Sequence, residues 1–143
     1  MQLIDVYESP LAPRLLYELL SERDPHQNIS HRAMPHYDDH LDFVRSRPYS
    51  AWYLIEAVIE IVDGAAADTQ IVGACYITRQ HELGIGILKR YRGRGYAENA
   101  LKMLIERHPG RHLANINPSN HASLRLFHKL GFEGPIQWTL ERA

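Results

Sequence analysis

The sequence predicts a mixed α/β domain around one sheet. Three observations point there. Runs rich in Val, Ile, Trp and Tyr alternate with stretches that carry leucines at helical spacing. Gly, Pro and Asp clusters separate them. The resulting order is strand, two helices, three strands, helix, strand, helix, strand, which suits helices layered on a single sheet.

Residues 2–7 read as the first strand. Residues 11–22 read as a helix, with Leu15, Leu16, Leu19 and Leu20 on one face, and Pro25 and the polar run to Ser30 break it. A second helix begins near Pro35, where proline suits the first turn and Asp38 and Asp39 suit the positive end of the dipole. Leu41, Val44 and Tyr37 are expected on its inner face. Residues 51–62 and 70–79 form an antiparallel hairpin around a loop at 63–68. Residues 82–88 make a short strand in which Gly84 and Gly86 mark a bulge or a close backbone approach.

A helix from about 94 to 108 presents Ala97, Ala100, Leu101, Leu104 and Ile105, and Pro109-Gly110 ends it. Residues 111–117 are a strand. Ser119 or Asn120 can cap the next helix, whose inner face is Leu124, Phe127 and Leu130. Gly131 fits the left-handed position after that helix and Phe132 the apolar position beyond it. A last strand is expected over 136–142.

With 143 residues, one domain spanning 1–143 is the natural expectation. A formal net charge of −1 argues against a partner such as nucleic acid or an anionic membrane, so any phosphate binding is local. The single cysteine, Cys75, lies in an apolar run and reads as a small hydrophobe. No signal peptide or membrane span is seen, which predicts a cytoplasmic setting.

The chemistry concentrates in two places. In Lys89-Arg90-Tyr91-Arg92-Gly93-Arg94-Gly95-Tyr96-Ala97, four positive side chains and two glycines stand between a strand and an amphipathic helix. Glycine allows a tight turn and close approach to a ligand, and a helix start offers unpaired N–H groups and positive dipole charge. Those properties say that an anion sits at a helix start, or that the turn is a solvated basic surface. The glycine spacing is not that of a dinucleotide fold, and no Gly-Lys-Ser/Thr makes it a P-loop. The second place is the stretch from Asn115 to Phe132, with Asn117, Asn120, Ser123 and Leu130-Gly131-Phe132.

Together these resemble the GNAT superfamily of acyl-CoA N-acyltransferases. The family's R/Q-x-x-G-x-G/A signature after the fourth strand matches Arg92, Gly95 and Ala97, and its N-x-x-N-x-x-S…L-G-F stretch matches Asn117, Asn120, Ser123 and Leu130-Gly131-Phe132. The resemblance covers nearly the whole chain, closest over 71–132 and thin before 50. It implies a mainly antiparallel sheet with helices on both faces and a strand pair splayed for the cofactor. It also implies acetyl-CoA as cosubstrate, no metal, and a primary amine as acceptor.

On that resemblance the N–H groups of Arg92, Gly93, Arg94, Gly95, Tyr96 and Ala97 cradle the diphosphate. The strand from Gly84 parts from residues 115–117 and pairs with the pantetheine arm through Ile85 and Ile87. The N–H of Ile87 or Leu88 polarises the thioester carbonyl. Asn117 and Asn120 bond the arm, and Ser123 and Phe127 lie near the sulfur. Glu82 is the candidate general base and His81 the alternative. Many members have a tyrosine, as proton donor to the thiolate, where this chain has Phe127, which leaves Ser123, a water or no acid.

His36 and His40 are four apart with His31 nearby, but no acidic or cysteine partner completes a metal set. The segment from His31 through Tyr37 and on to Phe43 loosely resembles the acceptor side of members that acetylate amino sugars. Trp52 and Tyr53 are core, or wall the acceptor pocket. The expected acceptor is a small-molecule amine. The alternatives are a protein N-terminus or lysine, and a non-catalytic CoA-binding module. The edge strands of such a sheet invite pairing into a homodimer.

Overall fold

A computed structural model describes residues 1–23, 33–59 and 68–143. The strands are β1 (Gln2–Asp5), β2 (Ala51–Ile59), β3 (Asp68–Ile77), β4 (Glu82–Ile87) and β5 (Leu113–Ala114). The helices are α1 (Ala12–Ser21), α2 (Tyr37–Arg45), α3 (Tyr96–Arg107) and α4 (His121–Lys129). The strands lie in the order β1-β2-β3-β4-β5, antiparallel except for the parallel pair β4–β5. This is the mixed, mainly antiparallel α/β architecture expected.

Alternation along the strands sends side chains to two cores. On one face Leu3, Ile55, Val72, Ile77, Leu83 and Ile87 pack with Ala100, Leu101 and Leu104 of α3 and with Phe127 of α4. On the other, Val6, Leu54, Trp52 and Ala74 pack with Ala12 and Leu16 of α1 and Val44 of α2. Trp52 is therefore core. Tyr53 points to the α3 face, where its hydroxyl bonds His108 Nε2 at 2.7 Å. Cys75 is fully buried and burial pushes its thiol up to about 12, as befits a packing residue.

Several expectations are corrected. α2 buries His40 and Val44, whereas Leu41 is half-buried and Tyr37 exposed. His40 turns inward because its Nε2–H donates to the Pro13 carbonyl at 3.0 Å and its ring meets Tyr17 and Tyr37, tying α2 to α1. β4 runs without a break in register. The irregularity lies in β2, between Ile55 and Glu56. Gly84 serves close approach instead: a Cβ there would collide with the Tyr76 ring. The strand expected over 111–117 pairs only at Leu113 and Ala114. The strand expected over 136–142 does not form, and Ile136, Trp138 and Leu140 are exposed. The break at Pro25, His31 and the loop at 63–67 lie outside the described residues. None of the described helices is long and apolar enough to cross a membrane.

The placement of His40 has a pH consequence. Burial lowers its pKa in the folded chain, and the Pro13 hydrogen bond only partly opposes this. The unfolded chain then binds more protons below about pH 6.5, so this contribution is whole above that pH and lost as pH falls through the window beneath it. His108, lowered by burial and by the neighbouring Arg107 and His112, has the same sign. The melting temperature should drop between neutral pH and pH 5, and His40→Gln, which keeps a donor but does not titrate, should flatten the drop. An identical slope in the variant contradicts this reading.

Candidate functional site

The site begins at β4. Thr78 N–H donates to the Glu82 carbonyl at 2.9 Å and Leu88 N–H to the Val72 carbonyl at 2.8 Å. By the antiparallel alternation, Glu82, Gly84, Gly86 and Leu88 direct their backbone groups to β3. Leu83, Ile85 and Ile87 direct theirs to the β5 side. There β5 pairs only at Glu82↔Leu113 and Leu83↔Ala114, so Ile85 and Ile87 face the gap left as the two strands part. One of the two expected carbonyl donors is thereby ruled out: the Leu88 N–H is engaged by Val72, and Ile87 N–H remains.

The turn follows directly. Residues 89–91 form a single 3-10 turn, Arg92 is extended, and Gly93 and Gly95 have φ of 79° and 80°. A left-handed backbone at both positions favours glycine. A Cβ at either would meet nothing within 4 Å, so the turn has open space beside it. Gly95 is the N-cap of α3 and no side chain caps the helix. The first helical bond is Asn99 N–H to the Gly95 carbonyl at 3.2 Å, so the N–H groups of Tyr96, Ala97 and Glu98 precede the ladder. Uncapped amides, dipole charge and open space fit a diphosphate.

The four cations have different duties. Arg92 Nε donates to the Ile87 carbonyl at 3.0 Å, pinning the turn to β4. Arg90 bonds Glu18 of α1 at 2.9 Å and lies over the Tyr91 ring. The Lys89 N–H donates to Glu22 at 2.8 Å. Arg94 has only the Tyr91 ring, at 5.9 Å, among the described residues, so it and the Lys89 ammonium, whose backbone alone bonds Glu22, are the cations left to meet an anion. Spacing alone could not reveal Glu18, Glu22 or Lys129 as partners. Lys129, in the last turn of α4, reaches Glu98 at 2.8 Å, and that contact first, with Lys102, holds the Glu98 carboxyl below its ordinary pKa. A carboxylate in the first turn of α3 is thus paired and does not repel an incoming anion.

On the other wall, Asn117 Oδ1 accepts from the Ser119 N–H at 2.9 Å and hydroxyl at 2.8 Å. Asn120 is the cap of α4, its Oδ1 accepting from Ser123 N–H at 3.2 Å. Ser123 is half-buried in the first turn of α4. Phe127 is buried in the core, edge-on to Phe132 at 5.1 Å between ring centres. The end of α4 is as expected. Gly131, at φ 93°, donates to the His128 carbonyl at 3.0 Å and Phe132 to that of Phe127 at 3.0 Å.

The two candidate bases part company. Leu83 enters the α3 core, so Glu82 and Gly84, one position either side, belong to the α1–α2 face, where Tyr76 covers Gly84. Glu82 is half-buried and no partner for its carboxylate is recorded among the described residues. His81, at φ 66°, lines a cleft of about 450 Å³ with Ser50, Ile77, His108, Arg111 and His112 at the carboxyl end of α3. One acceptor position cannot use both.

Comparisons with known proteins bear on the fold and the family. The acetyltransferase (GNAT) domain family matches residues 10–133. A Salmonella typhimurium structure solved with its cofactor acetyl-CoA is 18% identical, with a TM-score of 0.59 over 92% of this chain and 77% of that one. A spermidine N-acetyltransferase chimera from Vibrio cholerae is 15% identical, with a TM-score of 0.64 over 94% and 84%. A ribosomal-protein-alanine N-acetyltransferase from Brucella melitensis is 18% identical, with a TM-score of 0.59 over 93% and 85%. No curated protein matches. The family match spans most of the chain and includes the turn, the parted strands and α4, and the chain belongs to the GNAT acetyltransferases, whose cosubstrate is acetyl-CoA.

Proposed function

We propose that this chain moves the acetyl group of acetyl-CoA to the primary amine of a small molecule, by direct attack in a ternary complex. The observation that carries the reading is the uncapped start of α3 opening beside the parted β4 and β5. The N–H groups of residues 93–97 hold the diphosphate, helped by Arg94. The Arg92 N–H donates to the Lys89 carbonyl at 3.3 Å and drops out of the expected set. The gap-facing amides of Ile85 and Ile87 bind the pantetheine arm as a neighbouring strand would. Asn117 and Asn120 line the opposite wall. Ile87 N–H donates to the thioester oxygen as it gains charge.

Alkyl amines resemble lysine, with a pKa about 10.4, and are mostly protonated near neutrality. Glu82, directly or through water, takes that proton. The amine nitrogen then bonds the carbonyl carbon, the carbon–sulfur bond breaks, and the amide and the CoA thiol are released. Ser123 is assigned the relay by which the second proton of the acylated nitrogen reaches the thiolate sulfur, a role that Phe127 cannot fill.

Acetyl-CoA at about 100 times its dissociation constant should stabilise the fold by about 2.7 kcal/mol, a rise in melting temperature of roughly 5–10 °C. Free thiol should appear only with the right amine, sought among amino sugars first, then polyamines, amino acids and peptides. Absence of stabilisation by any acyl-CoA sinks the proposal. Turnover with peptides alone moves the acceptor to protein, and binding without turnover across the panel leaves a CoA-binding module.

A further inference from the structure

A second opening lies at the far end of α3 from the glycine turn. It is the cleft of about 450 Å³ lined by His81, His108, Arg111 and His112. The 12 residues of α3 put it about 18 Å from the amides that meet the diphosphate. Ile77, also in its lining, packs into the α3 core, so the cleft is on the α3 face of the sheet. Glu82 belongs to the other face, and the acetyl transfer makes no use of this cleft.

The charge of the cleft is one-sided. One guanidinium and three imidazoles line it, and no carboxylate does. Arg111 is exposed and makes no ion pair among the described residues. Burial, then Arg107 and His112, lower the pKa of His108, so positive groups here already oppose one another. An anion is the partner that such a set lacks. A metal ion is not. His108 and His112 each engage Nε2 within the chain, and among the described residues no group of three His, Cys, Asp or Glu is placed to hold one.

The carboxyl end of a helix ordinarily repels an anion. Here His112 Nε2–H donates to the carbonyl of His108, the cap residue, at 2.6 Å and covers it. The Tyr53 hydroxyl, 2.7 Å from His108 Nε2, fixes that ring, and His108 Nδ1 has no hydrogen-bond partner among the described residues. A hydroxyl that donates to Nε2 selects the tautomer with its proton on Nδ1. His81 stands at φ 66°, uncommon for a residue with a side chain. Its N–H donates to the Thr78 carbonyl at 3.1 Å, its carbonyl accepts from Leu113 N–H at 2.8 Å, and its ring is exposed.

We propose that this cleft binds a small oxyanion, a carboxylate or a phosphate monoester, held by the Arg111 guanidinium and the rings of His81 and His108. A planar guanidinium takes two oxygens of such a group side by side. The anion joins the β3–β4 turn, which carries His81, to the α3–β5 turn, which carries Arg111. Those turns lead into the paired end of the two strands, Glu82↔Leu113, opposite the end where they part.

Titration with inorganic phosphate at constant ionic strength, followed by NMR with the cofactor site filled by CoA, tests this. The imidazole Cε1–H resonances of His81 and His108 should move along one saturating curve. Its dissociation constant should be about 1 mM, the strength of two charge-assisted hydrogen bonds. Arg111→Gln should weaken phosphate at least about tenfold and leave CoA affinity unchanged, which also shows that the variant folds. His81→Gln should weaken it about threefold. Malonate in place of phosphate separates the sources: tighter malonate names a carboxylate, tighter phosphate a phosphate monoester, and either supports the site. Shifts that do not saturate below about 100 mM reflect screening alone and overturn the proposal. So does a curve that Arg111→Gln leaves unchanged, or a response seen only without CoA, which belongs to the start of α3.

Discussion

Gly95→Val should weaken acetyl-CoA binding by about 100-fold while leaving a folded protein. Gly95 stands at φ 80° as the cap of α3, a conformation in which a β-branched residue is an outlier. Nothing lies within 4 Å of a Cβ there, so the substitution meets no packing clash. Two effects remain. The left-handed backbone costs a side-chain-bearing residue about 1–2 kcal/mol, which should lower the melting temperature by a few degrees. The valine also stands in the open space that the diphosphate needs, and relieving its strain re-aims the amides that make the cradle. A 100-fold loss of affinity is about 2.7 kcal/mol, the scale of one or two hydrogen bonds to a charged group.

Gly131→Ala separates strain from site. Gly131 has φ 93° and the same lack of neighbours, but it closes α4. It should lose stability comparably and bind acetyl-CoA as the wild type does. Calorimetric titration of both variants decides the matter: unimpaired binding by Gly95→Val removes the turn from the site, and equal losses in the two make the effect one of general stability.

The comparison of sequence and structure follows the range of the forces involved. Caps, turns and amphipathic faces act over a few residues and were legible. Asn120 caps α4, Gly131 and Phe132 close it, and the glycines at 93 and 95 take the backbone that their spacing suggested. Contacts between distant segments were not legible. Nothing near Arg90 announces Glu18, 72 residues away, and nothing near Glu98 announces Lys129. Nothing near His40 in the sequence announces its inward turn, because the Pro13 carbonyl that it bonds lies on another helix. The alternation at 136–142 is that of a strand, but a strand also needs a partner, and among the described residues this segment pairs with none. The site divides the same way: the turn is local, whereas the engagement of Leu88 N–H by Val72 depends on the register of β3 with β4.

Glu82→Gln should lower kcat by about 100-fold, the lower end of what a positioned base contributes, with little change in the affinity for acetyl-CoA. The substitution keeps shape and removes only charge. The backbone of Glu82 is fixed independently of its carboxylate: its N–H donates to Thr78 Oγ1 at 3.0 Å and its carbonyl accepts from Thr78 N–H at 2.9 Å. β4 therefore keeps its register, and Ile85 and Ile87 still face the gap. The melting temperature should be near that of the wild type, since no ion pair to Glu82 is recorded among the described residues. The pH profile carries the sharper test. A base matters most where the amine is protonated, so the deficit should be largest near neutrality and shrink as pH approaches the amine's own pKa of about 10. A deficit constant with pH assigns Glu82 a positioning duty. An unchanged rate leaves deprotonation to water or to His81, and because His81 opens onto the cleft at the carboxyl end of α3, a rate loss in His81→Gln alone would move the acceptor to that side of the sheet.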